Sequence, residues 1–124
     1  MSSTDPGFPL ISAEEFLENM GGDPELCITI IETGLKEGEE QAEQIRSLTA
    51  ESDGESSRRL LHSLRGGSAT FGARSLVALL QMMESACEAD GVGAVLPHLG
   101  TFEAESRGYQ EGLLRLIEEM RARL

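Results

Sequence analysis

Arg58-Arg59-Leu60-Leu61-His62-Ser63-Leu64-Arg65-Gly66-Gly67-Ser68-Ala69-Thr70-Phe71-Gly72-Ala73 is the stretch on which the reading of this chain turns. At about 100° per residue, Leu60, Leu61, Leu64, Ser68 and Phe71 gather on one helical face, and His62 falls roughly 150° from its centre. The imidazole is expected to face water. One turn on, Gly66 has no side chain to crowd the ring, and Arg65, three residues away, lies on a flank within reach of whatever the ring carries. Each glycine inside a helix costs about 1 kcal/mol relative to alanine, so Gly66 and Gly67 need a reason. Close approach of another molecule supplies one.

The charge around His62 is unlike that of the rest of the chain. The 28 residues from Ser56 to Met83 hold no Asp or Glu, although the 124-residue chain has 22 acids and a net charge of −12. With Arg58, Arg59, Arg65 and Arg74 the window is +4 and the remainder −16. A neutral imidazole, with an ordinary pKa of about 6.5, is a nucleophile near pH 7 and can take a phosphoryl group. For Arg58 and Arg59 two readings stay open, a solvated basic face and a partner-docking patch. Arg74 is expected to pair with an acid on a neighbouring helix. His98 lacks basic companions and is read as structural.

The run His62-Ser63-Leu64-Arg65-Gly66-Gly67-Ser68-Ala69-Thr70-Phe71-Gly72-Ala73 resembles the phosphoacceptor helix of histidine phosphotransfer (HPt) domains. That pattern is His-x-Leu-Lys-Gly followed by small residues and Gly-Ala. Leu76, and an acid and a cysteine near the end of the next helix, extend the likeness, which covers roughly residues 12 to 123. It implies a phosphocarrier rather than an enzyme. His62 would accept the phosphoryl group, Arg65 would face its oxygens, and Arg58, Arg59, Gly66, Gly67 and Ala69 would meet the partner. The implied partner is the receiver domain of a response regulator, a hybrid sensor kinase, or both. The implied magnesium ion and a lysine belong to the receiver, so no cofactor is expected on this chain. The family's usual lysine is Arg65 here; charge and reach survive, but a planar guanidinium is not an ammonium.

The helix pattern agrees. Ser12, with Glu15 three residues on, is a capping-box start for a short first helix ending at Gly21-Gly22. Asp23-Pro24 starts a long helix whose apolar and small inner positions are Ile28, Ile31, Leu35, Gly38, Ala42, Ile45 and Thr49. Gly34 and Gly38 mark a kink or a close helix contact. The motif helix is expected from about Ser56 to Phe71, with Gly72 as its end, and a fourth from about Arg74 to Ala89. A fifth is expected to begin near Gly93 and to bury Val95, Leu99, Phe102, Ser106, Tyr109, Leu113, Leu116 and Met120. The fold expected is all-α, an antiparallel four-helix bundle with a short extra N-terminal helix, formed by residues 12–124 behind a flexible arm of residues 1–11.

Composition sets the remaining bounds. One compact domain fits this length. The polar, proline-bearing start has no apolar signal segment and no stretch is long enough to span a bilayer, so a cytoplasmic protein is expected. The beginning at Met1 and the lack of a linker favour a free-standing form, and a monomer is expected because such a bundle is complete by itself. Cys27 and Cys87 sit at helical spacing among apolar residues and are read as reduced core thiols. No Glu-x-x-His pair suggests a metal site, and the acidic surface argues against nucleic acid. A different class of function, a bundle that binds partners without phosphotransfer, remains as the alternative. An enzyme using His62 as acid or base is disfavoured, because no acid or second histidine lies near it in the motif.

Overall fold

The fold is taken from a computed structural model, which describes residues 10–124. Among them lie five α-helices and no strand: α1 (Ala13–Asn19), α2 (Pro24–Arg46), α3 (Gly54–Thr70), α4 (Arg74–Asp90) and α5 (Leu99–Arg121). The starts follow from capping chemistry. Ser12 Oγ accepts from the Glu15 amide at 3.1 Å, and Asp23 Oδ1 accepts from Glu25 and Leu26 at 3.1 and 3.2 Å with Pro24 opening the helix. Asp53 Oδ2 accepts from the Ser56 amide at 2.8 Å, so α3 begins at Gly54, two residues before the expected start at Ser56.

α2 and α5 run antiparallel, since Arg46 reaches Glu103 at 3.4 Å at one end and Arg121 reaches Glu32 at 3.8 Å at the other. α3 and α4 form the second antiparallel pair, turning at Gly72. Between the pairs Ile31, Ile45, Leu61, Leu76, Leu80, Met83, Phe102, Leu113 and Met120 are sealed from solvent. This is the expected antiparallel four-helix bundle, with α1 laid against α2 and α5. Cys27 and Cys87 are buried free thiols, and burial pushes both thiol pKa values up.

Three further boundaries differ from expectation. α2 ends at Arg46, so Thr49, expected among its inner positions, lies beyond the helix and is exposed. α5 starts at Leu99, not near Gly93, because two 3₁₀ turns, Val92–Ala94 and Leu96–His98, come first. Pro97 lacks an amide hydrogen and disfavours helical geometry at the residue before it, which delays the α-helix. Residues 1–9 of the expected arm lie outside the described residues, whereas Leu10 and Ile11 are packed against the core. The Ile11 amide donates to the Phe71 carbonyl at 2.8 Å, over the α3–α4 turn. Gly72 permits this in two ways. Its φ is +70°, and a Cβ there would stand 3.0 Å from the Ile11 nitrogen.

An aromatic column ties α1 to the bundle. Phe71 lies 5.5 Å from Phe16 and 6.4 Å from Tyr109, centroid to centroid. Its ring enters a notch in α2 where a Cβ on Gly34 would be 2.6 Å from Cε2, whereas a Cβ on Gly38 would stand 3.5 Å from Tyr109 Cε2, an ordinary contact. Of the two expectations for these glycines, close contact is found at Gly34.

Burial pushes the Tyr109 hydroxyl up to about 12. A raised folded-state value means that the associated stability is fully present below the ordinary tyrosine value near 10 and is lost as pH rises through about 12. The chain has one tyrosine and no tryptophan, so tyrosinate absorbance reports this group alone. Its midpoint is expected near 12 in the native protein and near 10 in urea; a native midpoint near 10 would contradict the buried position.

Candidate functional site

The α3–α4 hairpin decides which side chains meet. Ala73, at its turn, lies midway along the chain between His62 and Glu84, so an antiparallel return sets them opposite each other. His62 Nδ1 stands 2.8 Å from Glu84 Oε2, Arg65 Nε donates to Glu84 Oε1 at 2.9 Å, and Arg65 Nη2 lies 2.9 Å from the same Nδ1. Arg58, one turn before His62, is 3.8 Å from Glu84 Oε2. The carboxylate is the hub of the cluster and its most enclosed member, with side-chain exposure of 13 % against 61 % for His62.

Burial alone would push the Glu84 carboxyl up, but hydrogen bonds from His62 and Arg65, and their charges, outweigh it and hold the group below the ordinary glutamate value. Glu84 is therefore a carboxylate near neutral pH and can only accept. A proton on Nδ1 satisfies it and leaves a lone pair on Nε2, which has no hydrogen-bond partner among the described residues. The exposed ring thus offers one nitrogen to solvent and keeps the other against an acid.

The expected site residues fall into two groups. His62 and Arg65 are brought together, with Arg58 on the same cluster. Gly66, Gly67 and Ala69 are exposed on the following turns, and a Cβ at either glycine would meet nothing within 4 Å. Arg59 is exposed but stands outside the Glu84 cluster. Arg74, at the start of α4, borders a groove with Ser12 and Thr70 at the far end of the hairpin.

Glu84 is the residue missing from the expected site. No acid lies near His62 along the motif, yet one lies beside it in space. Its signal in the sequence is position: it is the first acid after the acid-free window, and it mirrors His62 across Ala73. Arg65, expected within reach of whatever the ring carries, is held by Glu84 at 2.9 Å.

Among the described residues no helix is long and apolar enough to cross a membrane, and no group of three or more His, Cys, Asp or Glu is placed to hold a metal ion. The family model described as Hpt domain matches residues 29–123. No curated protein and no solved structure matches the chain.

Proposed function

The chain belongs to the Hpt domain family, the phosphocarriers of histidine phosphotransfer, and we propose that His62 is its phosphoacceptor, receiving from the aspartyl phosphate of a receiver domain, or from a kinase, and passing the group to a response regulator. The observation that carries this reading is the half-engaged imidazole: Nδ1 against Glu84 at 2.8 Å, Nε2 without a hydrogen-bond partner among the described residues, the ring 61 % exposed. In the step itself the Nε2 lone pair attacks phosphorus, the P–N bond forms, the P–O bond to aspartate breaks, and the carboxylate leaves. The neutral ring becomes a phosphorylated imidazolium while its Nδ1 proton stays in place. Glu84 then faces a developing positive charge and stabilises it. Arg65 and Arg58 offset charge on the phosphoryl oxygens. Magnesium, on this reading, comes with the receiver.

Such transfer is mostly positioning and electrostatics, so an open helix face suffices. The test is incubation with phosphorylated receiver domains, following label. Acid-labile, alkali-stable label on this chain is expected. No label from any receiver, with the bundle folded, would favour the adaptor reading instead.

Gly66 and Gly67 give the clearance that lets a receiver close over the ring. Gly67→Leu is expected to separate docking from folding. The side chain enters open space and removes a helix-interior glycine, so stability should hold or rise by about 0.5–1 kcal/mol. Receiver binding should nonetheless weaken by more than about tenfold, because the added side chain projects from an exposed flank of α3 that a receiver closing over the ring would meet. Calorimetric titration against a cognate receiver, beside a urea melt, checks both; unchanged binding would overturn the clearance argument.

A further inference from the structure

Two groups claim one nitrogen. Glu84 Oε2 and Arg65 Nη2 lie 2.8 and 2.9 Å from His62 Nδ1, and both contacts cannot be hydrogen bonds at once. A carboxylate only accepts, so its contact needs a proton on Nδ1. A guanidinium only donates, so its contact needs a lone pair there. The first arrangement leaves Nε2 with the lone pair and makes it the nucleophile. The second puts the proton on Nε2 and silences it. We propose that Arg65 is a positioning residue that competes with Glu84 for Nδ1, so that the nucleophilic tautomer of His62 is favoured when a phosphoryl group draws Arg65 away. This rests on His62 being the phosphoacceptor.

The arginine fork makes the competition possible. Nε holds Glu84 Oε1 at 2.9 Å while Nη2, on the same plane, reaches the ring; a single ammonium nitrogen has no second arm in that fixed relation. The way out is unobstructed, because the glycines at 66 and 67 have open space around them. Arriving phosphoryl oxygens offer Arg65 a stronger acceptor than a ring nitrogen. Once Arg65 has moved, Glu84, still flanked by Arg58 at 3.8 Å, is the remaining partner of Nδ1. The phosphoryl group would then select the ring form that attacks it.

The test reads tautomers directly. Protein labelled with ¹⁵N-histidine, above the ring's titration, gives separate Nδ1 and Nε2 shifts, and His62→Gln assigns them against His98. Arg65→Met is expected to raise the ratio of Nδ1–H to Nε2–H about fivefold over wild type, the modest end for a charge-assisted hydrogen bond partly open to water. Glu84→Ala should reverse the preference, and Glu84→Ala with Arg65→Met should fall between the two single variants. An unchanged ratio in Arg65→Met, with the fold intact by circular dichroism, overturns the proposal. Failure of the phosphoacceptor reading is a separate result, absence of label on wild type, and leaves the tautomer ratios readable.

Discussion

His62→Gln is expected to leave the bundle folded and to abolish phosphoryl acceptance. Glutamine keeps the polarity and much of the reach of the imidazole but has no nitrogen lone pair able to attack phosphorus. Acceptance should fall by at least about 10³-fold, to the limit of detection, since nothing else in the cluster is a nucleophile: Arg58 and Arg65 stay protonated and Glu84 is held against them. Stability should change by less than about 0.5 kcal/mol, because the ring is 61 % exposed and Glu84 keeps Arg65 at 2.9 Å. Label from a phosphorylated receiver, beside a thermal melt of both proteins, measures the two effects. Acid-labile label persisting on the variant would move the acceptor elsewhere, and His98 would be the residue to change next.

Phe71→Ala carries the largest expected effect on stability. Its ring is buried between Phe16 and Tyr109 at 5.5 and 6.4 Å and fills the notch at Gly34, so truncation opens a cavity where three helices and the N-terminal segment meet. A loss of about 3–5 kcal/mol is expected, a large share of a small domain's stability. The urea midpoint reports it. Gly34→Ala supplies the control: alone it should destabilise by about 1–3 kcal/mol by forcing the ring aside, despite alanine's better helix propensity. In the Phe71→Ala background the same change should cost little or help, because the Cβ enters vacated space. Additive losses would mean that the two positions do not share a packing contact.

Local chemistry was legible before the structure. Ser12 and Asp23 announce their helices by side-chain caps, and Gly72 ends α3 because the turn needs a positive φ that glycine adopts freely. The Leu61, Leu64, Ser68 face pointed inward and left His62 outside, as found. What could not be read is what the chain brings together from afar. Glu84 is invisible in a search along the motif because its proximity depends on the register of the α3–α4 return. The same holds for Gly34, whose need to be glycine comes from Phe71, on another helix. The late start of α5 is a local matter, where proline geometry at Leu96-Pro97 outweighed a favourable periodicity.

The segregation of charge on this bundle has a kinetic meaning. A molecule with a net charge of −12 repels anionic surfaces from most directions, and an aspartyl phosphate is itself an anion. The stretch from Ser56 to Met83, which has four arginines and no acid of its own, is the gap in that repulsion. Charge along the chain is thus segregated, and the stretch that holds His62 is its least acidic part. If His62 is the phosphoacceptor, diffusing partners would be turned toward the ring before contact, and part of the specificity would lie in the long-range field and not in the interface. Added salt, which shortens the reach of that field to about 8 Å at physiological strength, would slow the search while leaving the docked geometry as it is.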